Sequence, residues 1–294
     1  MTPRTYATPE AFKKALDDRI KKPRDRQLLV FQRYLARVVG TFGEQVVLKG
    51  GFALELRLRG ARSTRDIDLR AMGSPDGLLD RLQAAGMQDL GDRMVFQVER
   101  DARHPLIEEV RYQGQRFTVR CRLAARPYGE PFGLDVAFGD PLYGPPDRLT
   151  LPDTLAFIGV QPPQVCVYPV STHIAEKLHA YTLPRERPNS RIKDLPDLAL
   201  LAQVTSEGTP ALDAGTLRAA IQQTFGFRGT HEVPSSLPDP PMHWTHPYAD
   251  MAREDNLPWA DLATVTAAAR AFLDPVLAGD DGTWDANTWT WLPA

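Results

Sequence analysis

Residues 46–69 of the chain, VVLKGGFALELRLRGARSTRDIDL, decide the fold and hold the densest group of candidate functional residues. The stretch begins with a short apolar run, continues with Gly50-Gly51 and an apolar helical segment, and ends in Asp66-Ile67-Asp68. Side chains alternate along a strand, so we expect Asp66 and Asp68 on one face, about 7 Å apart along the chain. Two carboxylates this close repel each other unless a cation lies between them, and Mg²⁺ prefers oxygen ligands of this kind.

The paired glycines Gly50 and Gly51 could form a phosphate-binding site. Glycine lets backbone N–H groups approach a phosphate closely, and the N-terminus of a helix attracts an anion. A Gly-Gly pair before a helix is more often only a tight turn, and an Asp-x-Asp sequence is more often a solvated strand end. Both motifs nevertheless occur in one segment, in the order strand, Gly-Gly, helix and strand, and this order favours a site for phosphoryl or nucleotidyl transfer.

This segment resembles the signature of the DNA-polymerase-β-like nucleotidyltransferase superfamily. Within that superfamily, KGGFAL at 49–54 followed by R-x-T-x-D-I-D at 62–68 resembles the AbiEii/AbiGii family of bacterial toxins. Two later segments, AEKLHA at 175–180 and R-x-K-D-L-x-D-L at 191–198, resemble the second and third motifs of the same family. The resemblance extends over most of the chain.

Composition limits the class of protein. The chain has 294 residues, of which 43% are hydrophobic and 24% charged, as in a soluble globular protein. No apolar run approaches the ~20 residues that span a bilayer, and the N-terminus lacks the apolar core of a secretory signal. Cys121 and Cys166 are too few and too isolated for a disulfide framework or a zinc site. We therefore expect a cytoplasmic protein with no membrane partner.

Charge is distributed unevenly. Residues 1–70 contain 16 Lys and Arg against 8 Asp and Glu, although the whole chain has a net charge of −2. A basic region around a phosphate site suits a nucleotide or RNA. The alternative is that many of these lysines and arginines form the solvated face of a surface helix.

Periodicity predicts an α+β fold. Two packing helices at about 9–20 and 24–39 precede the segment, and a helix is expected from Ser74-Pro75 to Ala85. Period-two patterns at 94–98, 109–112, 116–123 and Phe132–Phe138 predict strands added to the sheet that carries Asp66 and Asp68. From residue 170 the pattern is helical. The predicted domains are 1–145, 146–165 as a linker, and a C-terminal helical domain at 166–294.

Asp135 lies among apolar neighbours in the last of these strands. An ionised carboxylate in such a run is costly without a partner, and a metal shared with Asp66 and Asp68 would be that partner. The alternative is that Asp135 faces solvent on an edge strand.

The resemblance implies an N-terminal nucleotidyltransferase-fold lobe, with a mixed sheet and helices, and a C-terminal α-helical bundle lobe. It implies a toxin of a toxin–antitoxin or abortive-infection system that moves a nucleoside monophosphate from an NTP to an acceptor. The cofactor would be Mg²⁺ or Mn²⁺, and the partners an NTP, a cognate antitoxin and tRNA, because relatives act on the tRNA 3′ end.

The resemblance also implies roles for individual residues. The expected metal ligands are Asp66, Asp68 and Asp135, and the expected catalytic residues are these three with Lys177 and Asp194. The expected nucleotide-binding residues are Lys49, Gly50, Gly51, Arg62, Thr64 and Arg65. Without the resemblance, Lys177 is typical of a surface lysine, and Asp194 of an ion-pair partner for Arg191 in the same helix.

Two other functions stay open at the level of sequence. One is an enzyme of the same fold that acts on a small molecule or a protein, and the other is a non-catalytic nucleotide-binding module. All five tryptophans lie after residue 243. They could stack on RNA bases, but indoles bury large areas, which favours packing of the C-terminal lobe.

Overall fold

The computed structural model of the chain describes residues 4–58, 62–109, 112–186, 189–204 and 212–293. The chain divides into two compact units. The first, here called the sheet unit, comprises Met1–Leu48, Arg65–Asp140 and Arg148–Val167. The second, the helical unit, comprises Lys49–Thr64, Pro141–Asp147 and Tyr168–Ala294. The domain boundaries inferred from the sequence stay a prediction.

The α-helices of the described residues follow in chain order. They are α1 (Pro9–Arg19), α2 (Pro23–Phe42), α3 (Gly50–Arg57), α4 (Leu78–Gly86), α5 (Val170–Thr182), α6 (Asp194–Leu201), α7 (Ala214–Arg228), α8 (Thr245–Asp255) and α9 (Leu262–Ala278). The strands are β1 (Val46–Lys49), β2 (Asp66–Ala71), β3 (Met94–Arg100), β4 (Leu106–Glu109), β5 (Tyr112–Leu123), β6 (Arg126–Pro127), β7 (Phe132–Phe138), β8 (Asp147–Thr150), β9 (Gln164–Val167), β10 (Thr283–Asp285) and β11 (Thr290–Leu292).

Nine of the described strands form one mixed sheet. Its order is β3-β5-β7-β2-β1-β9-β8, with β4 and β6 paired to β5. Strands β2 and β7 are parallel, as are β1 and β9, whereas β5 is antiparallel to both β3 and β7. The predicted α+β class with a mixed sheet is confirmed.

Helix α2 covers one face of this sheet. Phe31 packs on Phe132 of β7 with ring centroids 4.8 Å apart, and Tyr34 packs on Phe96 of β3 at 5.2 Å. Because side chains alternate along a strand, the neighbours of these buried residues lie on the opposite face. That opposite face carries Asp66 and Asp68 of β2.

A buried ion-pair cluster joins α2 to the loop before β3. Arg37 donates to both carboxylate oxygens of Asp92, at 2.8 and 2.7 Å, and Arg33 donates to Asp92 at 2.6 Å. All three side chains are buried. Burial opposes ionisation of Asp92, but the two arginines outweigh it and lower the pKa of that carboxyl. Sequence periodicity gave no indication of this cluster.

The helical unit has its own apolar core, built from α5, α6, α7, α8 and α9. Trp244 and Trp284 are buried in it, and Trp259, Trp289 and Trp291 pack against it. The indole N–H groups of Trp244, Trp284, Trp289 and Trp291 each donate to a backbone carbonyl. The predicted packing role of the tryptophans is confirmed. None of the helices within the described ranges is long and apolar enough to cross a membrane.

Several predicted element limits were wrong. Helix α2 continues past Gly40 and ends at Phe42, and its cap residue Gly43 has a φ of 58°, which favours glycine. Helix α4 begins at Leu78 rather than at Ser74-Pro75. The segment predicted as a linker contributes strands β8 and β9 to the sheet. The predicted strand at 109–112 includes residues 110 and 111, which lie outside the described residues.

Candidate active site

Three acids lie on one face of the sheet unit. Strands β2 and β7 pair in a register that sets Asp68 opposite Asp135 and Asp66 opposite Gly133. Directly paired residues point to the same face, and residues two apart on one strand do so as well. We call Asp66, Asp68 and Asp135 the acid face. Asp66 is exposed, and the other two are half-buried.

Gly133 leaves room for the first of these acids. Its backbone N–H donates to Oδ1 of Asp66 at 3.2 Å. A Cβ atom at this position would lie 2.5 Å from the same oxygen, a distance that non-bonded atoms do not adopt. Gly133, two residues before Asp135, therefore permits the position of Asp66, a role that the sequence did not reveal.

Asp135 has a cationic partner on the neighbouring strand. Arg116 of β5 lies directly opposite it in the antiparallel register. Nε and Nη2 of Arg116 donate to the two carboxylate oxygens, each at 2.7 Å. These hydrogen bonds raise the pKa of Arg116 further above its ordinary value, against the opposing effect of burial. Strand β7 lies between β5 and β2, so the alternative of an edge strand for Asp135 was wrong.

The donor chemistry of the acid face fits a hard divalent cation. Carboxylate oxygens are the ligands that Mg²⁺ and Mn²⁺ prefer, and the register brings Asp68 and Asp135 to adjacent positions. Among the described residues, no three carboxylate, imidazole or thiol side chains form a group close enough to hold a metal ion. The oxygens of Asp135 are directed at Arg116.

In the helical unit, Gly50 and Gly51 begin α3. Gly50 has a φ of 67°, which favours glycine. A Cβ on Gly51 would lie 2.9 Å from Oγ1 of Thr64 and 3.4 Å from Nη2 of Arg62, so only glycine fits there without a shift. Thr64 and Arg62 are themselves buried. The structure thus brings Gly51, Arg62 and Thr64 together, whereas Arg65 is an exposed residue of the sheet unit.

Lys49, predicted to bind nucleotide, is engaged with an acid of α5. Its Nζ lies 3.2 Å from both carboxylate oxygens of Glu176 and 5.5 Å from the centroid of the Tyr168 ring. Arg228 of α7 also approaches Glu176, at 3.6 Å. Glu176 was not among the predicted site residues.

Lys177 and Asp194 meet in a buried network of four charges. Nζ of Lys177 lies 2.8 Å from an oxygen of Asp194 and 2.8 Å from an oxygen of Asp197. Arg62 donates to both oxygens of Asp197, each at 2.8 Å. We call these four residues the lysine network. Two positive and two negative charges balance within it.

The network shifts the ionisation of its members. Burial opposes ionisation of Asp197, but Lys177 and Arg62 outweigh it and lower the pKa of the carboxyl to about 2. Burial likewise disfavours the charged form of Lys177, but Asp194 and Asp197 raise its pKa above the ordinary value. Burial and the neighbouring Lys177 lower the pKa of His173 to about 3, so this histidine is neutral at pH 7.

The reading of Lys177 as a surface lysine was wrong, because its side chain is only 13% exposed. The charge of Lys177 is neutralised by two acids of α6. Arg191, the alternative partner of Asp194, lies farther away at 3.8 Å. Asp194 and Asp197 are three residues apart, a spacing that sets both on one side of a helix, and this spacing was the signal in the sequence for a role of Asp197.

Comparison with known proteins decides the family. A family model described as "Nucleotidyl transferase AbiEii toxin, Type IV TA system" matches residues 33–280. The chain belongs to the AbiEii family. As an AbiEii protein it is a nucleotidyltransferase toxin of a type IV toxin–antitoxin system, and membership implies an NTP substrate and an antitoxin partner. A search of curated protein sequences gave no match.

The fold of this chain is similar to that of the solved structure of MenT4. MenT4, a nucleotidyltransferase toxin from Mycobacterium tuberculosis H37Rv, is 20% identical with a TM-score of 0.58. That match covers 97% of this chain and 93% of MenT4. JHP933 from Helicobacter pylori is 15% identical with a TM-score of 0.44, and the match covers 84% of this chain and 94% of JHP933.

Proposed function

We propose that this AbiEii protein transfers a nucleoside monophosphate from an NTP to an RNA acceptor, the tRNA 3′ end, with the help of Mg²⁺ or Mn²⁺. The single observation that supports this most is the register of β2 and β7, which aligns Asp66, Asp68 and Asp135 on one face. A module that only binds nucleotide has no need of a third carboxylate in that alignment.

In this proposal Asp66, Asp68 and Asp135 would hold the divalent cation. When bound, the cation neutralises phosphate charge and favours the hydroxyl as a nucleophile. The acceptor oxygen forms a bond to the α-phosphorus and its proton passes to water, while the bond from that phosphorus to pyrophosphate breaks. Asp135 orients the acceptor hydroxyl, and catalysis is mainly positioning and charge neutralisation.

We assign the nucleotide phosphates to residues of the helical unit. The backbone N–H groups of Gly50 and Gly51 lie at the start of α3, where an anion is favoured. Lys177 has three N–H donors, two of which meet Asp194 and Asp197, and we assign another to the leaving phosphates. Asp194 positions Lys177. Arg62, Thr64, Arg65 and Lys49 complete the proposed nucleotide contacts.

Charge supports a polyanionic acceptor. The 16 basic residues against 8 acidic ones in positions 1–70 suit RNA better than a small neutral acceptor. The reaction would take place in the cytoplasm, where NTPs and tRNA are found. An enzyme of the same fold with a small-molecule or protein acceptor is the second candidate.

The test is a transfer assay with labelled NTPs, Mg²⁺ and total RNA. We compare wild type with Asp66→Ala and with Asp80→Ala, an exposed acid of α4 in the same unit that serves as the control. Label on RNA with wild type and Asp80→Ala only is the expected result. Label on a small molecule or on protein would move the function to the second candidate. Absence of any transfer by wild type would contradict the enzymatic proposal.

A further inference from the structure

The acid face contains an ion pair between Arg116 and Asp135. It joins two neighbouring strands, and the guanidinium fork meets both oxygens of the carboxylate at 2.7 Å. The side chain of Arg116 remains 39% exposed, whereas that of Asp135 is 19% exposed. A partly exposed arginine therefore neutralises the acid that the proposed function assigns to the metal.

The position of Arg116 is fixed by the sheet. Its backbone N–H donates to the carbonyl of Pro105, and its own carbonyl accepts from Asp101, at 3.0 and 2.9 Å. The β5–β7 register sets its Cα directly across from Asp135. Rotation of the side chain alone can break or restore the ion pair, with no movement of the strand.

Arginine and a metal ion compete for the same oxygens. A carboxylate offers about four lone-pair sites, and a bidentate guanidinium uses the two oxygens at once. A divalent cation at Asp66 and Asp68 also repels a guanidinium held this close, because both are positive.

We propose that Arg116 is a positioning residue that holds the Asp135 carboxylate as its counter-ion in the metal-free enzyme and releases it when a divalent cation binds. This inference rests on the proposed function, because it takes Asp66, Asp68 and Asp135 as the metal ligands. The released guanidinium lies on the same sheet face and is then available to an anionic phosphate.

Two possible roles of Arg116 predict opposite changes in metal affinity. If Arg116 competes with the metal, removing it tightens binding. If Arg116 instead orients Asp135 as an outer partner of a metal ligand, removing it weakens binding, typically about 10- to 100-fold. The sign of the change therefore decides between the two.

The experiment titrates Mn²⁺ into the full-length protein without nucleotide, and follows free Mn²⁺ by electron paramagnetic resonance. Arg116→Ala is compared with Arg120→Ala, its matched control on the same face of β5. Arg120 is 45% exposed and pairs with Glu99 of β3 at 2.6 Å rather than with a residue of the acid face. Arg116→Lys keeps the charge without the fork, and Arg116→Gln is the second variant if Arg116→Ala does not fold by circular dichroism.

We expect Arg116→Ala or Arg116→Gln to lower the Mn²⁺ dissociation constant by about five- to tenfold, the scale of one partly screened charge. Arg120→Ala should stay within about twofold of wild type, and Arg116→Lys should fall between the two. Unchanged or weaker binding in the Arg116 variants overturns the inference.

Asp66→Ala separates this inference from the proposed function. If Asp66→Ala weakens Mn²⁺ binding but the Arg116 variants behave like Arg120→Ala, the inference fails and the metal site stands. If Asp66→Ala leaves Mn²⁺ binding unchanged, the assigned metal site fails and the inference fails with it.

Discussion

Replacing Asp197 by asparagine tests whether the lysine network stabilises the helical unit. The side chain is fully buried and meets three cationic hydrogen-bond donors, two from Arg62 and one from Lys177. Its pKa of about 2, against the ordinary 3.8, corresponds to about 2–3 kcal/mol in favour of the ionised form. Removing one partner of a buried ion pair costs about 3–5 kcal/mol. We therefore expect Asp197→Asn to lose about 3 kcal/mol of unfolding free energy at pH 7.

The pH dependence of this loss has a definite sign. Because the folded pKa lies below the unfolded one, the ionised form contributes its full stability above about pH 4. That contribution disappears as the pH falls from about 4 towards 2. The difference between wild type and Asp197→Asn should therefore stay constant from pH 7 to pH 5 and shrink at pH 3.

Urea titration followed by tryptophan fluorescence measures the difference in unfolding free energy between wild type and Asp197→Asn in the helical unit. All five tryptophans lie after residue 243, within the helical unit. The control is Asp250→Asn, which removes a 61% exposed acid paired with Arg253 on the surface of α8. That variant should change the unfolding free energy by less than about 0.5 kcal/mol. An Asp197→Asn loss no larger than the control, or one unchanged at pH 3, would refute the reasoning.

Four further outcomes follow from the structure. Asp66→Ala and Asp68→Ala should each abolish nucleotide transfer while circular dichroism stays native, since removing one of two repelling carboxylates relieves strain rather than adding it. Lys177→Ala should lose most of the transfer rate in the labelled-NTP assay; a rate close to wild type would limit Lys177 to a packing role. Gly133→Ala should reduce transfer, because the new Cβ would meet Oδ1 of Asp66 at 2.5 Å, and native activity would show that Asp66 can move freely. Asp92→Ala should lower the unfolding free energy of the sheet unit by about 3–5 kcal/mol in urea titrations followed by circular dichroism, because it leaves two buried arginines without their acid.

Local sequence patterns predicted those parts of the site that depend on one element. Alternation along β2 sets Asp66 and Asp68 on one face, and the glycine pair marks the start of α3. Apolar residues around Asp135 indicated a strand, and β7 is such a strand. These predictions succeeded because period-two alternation and glycine at positive φ act over a few residues.

Features that depend on pairing between elements distant in the chain could not be predicted from the sequence. The contact of Arg116 with Asp135 requires the register of β5 on β7, and a slip of one residue would turn Arg116 to the other face. Lys177 appeared as a surface lysine because nothing in its own helix showed that two acids of α6 would surround it. Element ends were also misjudged, as at Gly40, because packing along α2 outweighs the low helix propensity of one glycine.

Both groups of predicted catalytic residues already contain ion pairs within their own units. In the sheet unit Arg116 neutralises Asp135, and in the helical unit Asp194 and Asp197 neutralise Lys177. In the proposed site, a metal ion that binds Asp135 takes the place of Arg116, because a carboxylate cannot give its full strength to two cations at once. Lys177 has a third N–H donor besides the two that meet Asp194 and Asp197, so a phosphate that binds it need not displace either acid. The net free energy of metal binding is then the difference between the energy of the metal–carboxylate contact and that of the Arg116–Asp135 ion pair. Removing the arginine should therefore change the affinity in the opposite direction to removing a metal ligand. For the acid face we therefore expect loss of Asp66 to weaken metal binding and loss of Arg116 to strengthen it, a pair of opposite signs that simple loss of folding cannot produce.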